Sequence, residues 1–257
     1  MGCGSRRIPR HVSSRDDASP PMIIHRKAPS RGHSSAEGRD SRHAFSFGGY
    51  YDPQRMGFGP LRVLNEDRLE PGAGFDTARH ANMELLAFVV SGELAHEDAI
   101  GGDGAVRSGE LQWLSTGHGV QHAERNASMS EPLHLIQLWI QPSRLNHEPA
   151  YGKRAAVPAD ARGWMLLASG DGADGSLAIR QDARILQVRL DRGETADVEL
   201  DLSRQYWVQV VSGAVTADEG IDLVPGDALG LHDEAGTLRL QGAADGRAAI
   251  LLLDLPE

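Results

Sequence analysis

The sequence predicts an all-β fold of two similar, antiparallel, barrel-like halves. Three observations predict it: short apolar runs separated by turn residues, an echo between the two halves, and no stretch that reads as a long amphipathic helix. From Leu61 onward the runs are LRVL, ELLAFVV, LQWLS and LHLIQLWIQP, then ILQVRL, YWVQVVSG, TLRL and AAILLLDL. Runs of this length bounded by Gly, Pro and Asp are strand signals, because the flanking residues supply the backbone conformations that hairpins and bulges need. Glu70-Pro71-Gly72, Gly101-Gly102-Asp103-Gly104, Asp171-Gly172 and Pro225-Gly226-Asp227 are the clearest such turns. The echo pairs FVVSG at 88–92 with QVVSGAV at 209–215. Ser108-Gly109-Glu110 then precedes LQWLS, and Pro225-Gly226-Asp227 precedes ALGLH. A duplicated domain explains this most economically.

Taken in order, residues 1–21 carry four Arg, two Asp and little apolar content, so a flexible tail is expected there. Met22 opens a strand-like segment, Met-Ile-Ile-His, and is as good a start as Met1. Residues 22–146 form the first domain and 147–257 the second. The stretch from about Pro142 to Gly163, with Pro142, Pro149 and Pro158, reads as the crossover. The second half has no comparable His and carboxylate set and reads as structural.

Composition narrows the function classes. The 257 residues are 40% hydrophobic and 24% charged, with 30 Gly and 13 Pro, the balance of a turn-rich globular protein. No run reaches membrane-spanning length. A formal net charge of −10 repels a phosphate backbone, which argues against direct nucleic-acid binding. The lone Cys3 cannot form an intrachain disulfide, and the opening residues lack a secretory apolar stretch, so a cytoplasmic setting is expected.

Among eleven His, the set His80, His118, His122 with Glu84 and Glu124 lies near turn-bounded strands of the first half. Residues two apart on a strand share a face, so His122 and Glu124 can point into one interior, and His80 can join from a facing strand. Two His and one carboxylate with open positions suit a non-haem Fe(II) or related centre. The competing reading is that these are solvated loop side chains. His11, His25, His33, His43, His96, His134, His147 and His232 show no such partner pattern and are expected at the surface or hydrogen-bonded in the core.

The stretch His43-Ala44-Phe45-Ser46-Phe47-Gly48 is followed by Tyr51-Asp52-Pro53, Met56-Gly57-Phe58-Gly59 and Leu61-Arg62-Val63-Leu64-Asn65-Glu66-Asp67. This opening resembles that of pirin-family proteins. Pro71 to Phe75, Met83-Glu84, Gly117 to Glu124, His134 to Ile140, Asp174 to Leu177 and Trp207 to Val211 continue the match, which covers about Met22 to the C-terminus. The resemblance implies a bicupin of two jelly-roll domains with few short helices. It also implies that the first domain alone binds one divalent metal, commonly iron, with nickel, manganese, copper or zinc as alternatives. Some relatives open flavonols such as quercetin with dioxygen, and others act as partners of transcription regulators.

Carried over by position, the metal ligands are His80, His122 and Glu124, while the family's first His falls on Ala78. Four protein ligands become three, and Asp76 and His118 are the candidate replacements. In an active site, Glu124 is the expected base for the flavonol 3-hydroxyl. Phe47, Phe75, Met83 and Trp113 are the candidate lining, each of which also reads as ordinary core. The competing class is a non-enzymatic regulatory or ligand-binding cupin with a degenerate metal site, in which Arg79 contacts an anionic ligand.

Overall fold

The computed structural model describes residues 22–243 and 246–257. The expected tail, with Cys3, lies outside the described residues. Among those residues there are 22 strands, three short 3-10 turns and no α-helix. Among the described residues no helix is long and apolar enough to cross a membrane.

Each half is a pair of facing sheets. The first half has a seven-stranded sheet in the order Ala150–Arg154, Leu111–Ser115, Glu84–Ser91, Leu133–Ile140, Leu61–Leu69, Arg39–His43, Gly32–Ala36. Its four-stranded sheet runs Gly74–His80, Val120–Asn126, Glu93–Asp98, Asp103–Arg107. The second half repeats this with Met22–Arg26, Ala228–His232, Arg204–Ser212, Ala248–Pro256, Arg184–Leu190, Met165–Ser169, Leu177–Ala178. Its smaller sheet runs Thr195–Leu200, Gly236–Gly242, Val215–Ala217, Ile221–Leu223. Pairing is antiparallel apart from the short parallel contact of Met165–Ser169 with Leu177–Ala178. No ladder joins a large sheet to its small one among the described residues, so these are open jelly-roll sandwiches and not closed barrels.

The halves exchange edge strands, so the sheets do not divide at residue 146. Met22–Arg26 pairs with Ala228–His232 of the second half, and Ala150–Arg154, inside the expected crossover, pairs with Leu111–Ser115 of the first. Each exchanged strand covers an edge that would otherwise present unpaired N–H and C=O groups.

The two seven-stranded sheets pack on one another. Leu86, Phe88, Ile136 and Leu138 meet Ile185, Trp207, Leu251 and Leu253 in one buried cluster. The alternate residues Leu85, Ala87, Val89, Leu133 and Leu135 face the interior of the first half. These strands are thus buried on both faces, which is why their sequences are continuous apolar runs. The outer strand Gly236–Gly242 instead alternates exposed and buried.

Glu84 ties the halves together. It is 1% exposed and its carboxylate accepts the Trp113 indole N–H (2.7 Å), the Ser115 hydroxyl (2.6 Å) and the backbone N–H of Arg180 from the second half (3.0 Å). It therefore belongs to the joint and not to the site proposed from His80, His122 and Glu124. The interior of the second half is filled by Val188, Val208, Val210, Leu229, Leu240, Ile250 and their neighbours. The interior of the first half splits into two small apolar clusters. Its buried polar residues include His96, Gln112, Glu124 and Gln137.

Candidate metal centre

The site lies on the inner face of the four-stranded sheet. In the ladder between Glu93–Asp98 and Val120–Asn126, Glu124 is opposite His96 and His122 is opposite Asp98. On the other flank, His122 is opposite Ala78 and Val120 is opposite His80, with a register shift that sets Glu124 opposite Phe75. Directly opposed residues project to the same face, so three adjacent strands aim His80, His122, Glu124 and His96 into one interior. The His80 and His122 ring centroids are 5.2 Å apart, and those of His96 and His122 are 5.9 Å apart.

The donor atoms of His96, His122 and Glu124 all lie within 4.8 Å of one another, the group of three or more found at that spacing among the described residues. Neither ring nitrogen of His122 has a hydrogen-bond partner although both are buried, and the same is true of His96 Nδ1. Glu124 is held at both oxygens: Gln112 Nε2 donates to Oε1, and Gln137 Nε2 donates to Oε2 at 3.1 Å. Buried imidazole nitrogens left unpaired beside a fixed carboxylate fit a divalent ion, because such groups are costly unless something satisfies them.

Electrostatics leaves two of the imidazoles basic-poor. Burial lowers the His80 and His122 pKa values, with Glu124 acting in opposition. Neutral rings offer the lone pairs a metal needs. Burial also opposes the charge on His96, but hydrogen bonding and attraction from Glu124 and Asp98 together raise its pKa.

A cavity of about 270 Å³ opens beside the cluster. Its walls include Phe47, Phe75, Leu85, Trp139, Asp76, Ala78, His80, His122, Glu124 and Gln137. Phe47 and Phe75 thus stand where the sequence reading put them. Met83 instead packs with Leu85 and Leu114, and Trp113 sits between the halves in the shared core, its N–H taken by Glu84. Trp139 takes their place, its ring edge against His80 at 4.8 Å and against Phe47 at 5.4 Å. Of the candidate replacement ligands, Asp76 reaches the cavity, but His118 does not. His118 is on the surface, 51% exposed and 3.1 Å from Glu148, because it follows the Gly117 turn that carries the chain outside the sheet. Arg79 bonds the His118 carbonyl and does not line the cavity.

Sequence reasoning missed His96. The signal was present as His96-Glu97-Asp98, the same two-apart spacing that singled out His122 and Glu124, placed just before a Gly turn.

Asp67 lies behind the cavity, buried, in a side pocket that shares Arg39, Phe47 and Phe75 with it. Burial, opposed by a hydrogen bond from Ser41 and reinforced by repulsion from Glu124 and Glu66, pushes its pKa up to about 7. A raised folded-state pKa contributes stability that is full below the unfolded value near 3.8 and is lost as pH rises through about 7. Asp67→Asn is therefore expected to raise the melting temperature more at pH 8 than at pH 4.5, read by calorimetry. Equal shifts at the two pH values would show that Asp67 is ionised at no cost.

The Pirin family model matches residues 25–140, and the model described as quercetinase C-terminal cupin domain matches residues 166–255. Quercetin 2,3-dioxygenase of Escherichia coli (strain K12) is 41% identical over 235 residues, covering 91% of this chain and 99% of that protein. Pirin-like protein YhaK of the same organism is 34% identical over 239 residues, covering 91% and 100%. The crystal structure of bacterial pirin YhhW from Escherichia coli in complex with nickel(II) superposes with a TM-score of 0.85 at 40% identity, covering 91% of this chain and 99% of that one.

Proposed function

The chain belongs to the pirin family, and from that premise we propose that it is a metal-dependent flavonol 2,3-dioxygenase of the quercetinase type, working in the cytoplasm. His80, His122 and Glu124 are the proposed ligands of one divalent ion, with Fe(II) the proposed occupant. The second domain is structural in this reading. The observation that carries it is the pair of unpartnered, buried His122 nitrogens beside Glu124 on the wall of an apolar cavity.

When bound, the ion would supply Lewis acidity that makes a substrate hydroxyl more acidic and open positions at which small oxygen ligands can sit. The chain's own residues do the rest. Phe47, Phe75, Leu85 and Trp139 form apolar walls that suit a planar aromatic substrate and exclude water from it. Arg39 stacks its guanidinium over the Phe75 ring at 5.3 Å and holds that wall in place. Glu124 accepts the proton of the flavonol 3-hydroxyl at a carboxylate oxygen, and Gln112 and Gln137 keep that carboxylate aimed while it does so. Neutral His80 and His122 retain their lone pairs because burial disfavours their protonated forms.

The test is consumption of quercetin by Fe(II)-loaded protein, followed by loss of the flavonol absorbance with matched dioxygen uptake. Stoichiometric consumption of both is expected. Binding of quercetin without dioxygen uptake would favour the second reading, a ligand-binding cupin that does no chemistry, for which Ala78 speaks because it places a methyl group opposite His122.

A further inference from the structure

We propose that His96 is a direct ligand of the ion through Nδ1, making the set His96, His122 and Glu124 with His80 on the cavity side. The proposal rests on the metal reading above and assigns a residue to it from four observations.

The first is position. His96 stands directly opposite Glu124 across the ladder, and its donor atoms fall within 4.8 Å of those of His122 and Glu124. An ion about 2.0–2.2 Å from each donor spans donor separations of up to about 4.4 Å, so a small rotation of the His122 ring, whose nitrogens have no hydrogen-bond partner, closes the set. The second is tautomer. Asp98 takes the backbone N–H of Ile100 (2.9 Å) and of Gly102 (2.8 Å) at Oδ1, and its Oδ2 lies 3.0 Å from His96 Nε2. A carboxylate used as an acceptor in this way holds a proton on Nε2, so that in the neutral ring, the form an ion would bind, the lone pair is on Nδ1, the arrangement by which carboxylates orient metal-binding imidazoles. The third is the empty acceptor. The His96 side chain is 0% exposed and Nδ1 has no hydrogen-bond partner. Its nearest charged neighbour, Glu124 Oε1 at 3.6 Å, is itself an acceptor. A neutral ring would put two buried acceptors face to face, and either a proton on Nδ1 or a metal ion between them relieves that; titration with Ni(II) separates the two. The fourth is rigidity: the ring stacks on Tyr151 at 4.6 Å and 11°, so it is held in that orientation before any ion arrives.

Ala78 faces His122 from the opposite flank and lines the cavity, with no donor to offer. His96 approaches from behind, away from the cavity, so an ion bound this way keeps the cavity side free for substrate.

The experiment titrates the metal-stripped full chain with Ni(II) alone and counts coordinated imidazoles by X-ray absorption. His96→Gln is expected to lose one imidazole from the count and more than a hundredfold in affinity, beyond the 10–100-fold loss of a residue that only orients a ligand. Adding Ala78→His to His96→Gln is expected to restore the count and bring affinity back to within tenfold. An unchanged count in His96→Gln, or an affinity loss that Ala78→His does not rescue, would overturn the proposal and leave His96 as the partner that positions Glu124. Should His96→Gln fail to fold, Asp98→Asn serves instead. It keeps the backbone contacts at Oδ1 but offers an amide N–H to Nε2, which moves the imidazole proton to Nδ1, so one imidazole leaves the X-ray absorption count if His96 ligates and the count stays unchanged if it does not. Wild-type protein that takes up no Ni(II) would overturn the metal reading itself.

Discussion

Replacing Glu124 with Gln is expected to lower flavonol turnover by about 10²–10⁴-fold, the usual contribution of a positioned general base. The substitution preserves shape but removes the anion. Both Glu124 oxygens now accept amide hydrogens, from Gln112 and Gln137. A Gln side chain must turn its own N–H₂ toward one of those donors, so it loses one of the two contacts that aim the group and the charge that draws an ion beside His122. A variant that consumes quercetin within tenfold of the parent rate would remove Glu124 from the chemistry. His80→Ala is the useful contrast: that ring is a proposed ligand that accepts no proton in this scheme, so its loss weakens metal binding and is offset by excess Fe(II), whereas the loss in Glu124→Gln is not.

The second large effect concerns stability. Glu84→Leu is expected to destabilise the fold by about 3–9 kcal/mol, since three donors lose their acceptor and each stranded group costs about 1–3 kcal/mol. The donors come from Trp113, Ser115 and Arg180, so the loss falls on the joint between the halves. For a protein of this size that is a drop of roughly 6–36 °C in melting temperature. Glu84→Gln keeps one carbonyl acceptor and should fall between the two. A Glu84→Leu melting temperature within 2 °C of the parent, by calorimetry, would mean that the three donors find other partners.

Much of the fold was legible because its signals are local. The apolar runs became strands where expected, and the repeated Ser-Gly turns follow the matching strands Glu84–Ser91 and Arg204–Ser212 of the two large sheets. What was not legible is non-local. Nothing in Met22–Arg26 states that its partner is Ala228–His232, some two hundred residues away, and an edge strand can satisfy its backbone on either sheet. Arg204 and Gln205 extend the strand ahead of the apolar run that starts at Tyr206, and Arg204 is tied to Asp254 at 2.6 Å on the neighbouring strand.

In the site, the two-apart rule placed His122 and Glu124 on one face, and positional matching placed His80 beside them. Trp113 and Trp139 could not be told apart in sequence, since both sit in apolar strands. Only the packing of the halves decides which faces the cavity. His96 was passed over because its importance depends on a cross-strand partner, Glu124, 28 positions further along the chain.

The proposed chemistry depends on a divalent ion held by the first domain at His122 and Glu124. Elemental analysis tests it most directly, on protein purified without chelator or affinity-tag metal, reconstituted anaerobically with Fe(II) and freed of excess ion. Close to one ion per chain is expected, with loss of that ion in both His122→Ala and Glu124→Ala at unchanged fold. Wild-type protein that stays metal-free, or variants that keep the ion, would contradict it.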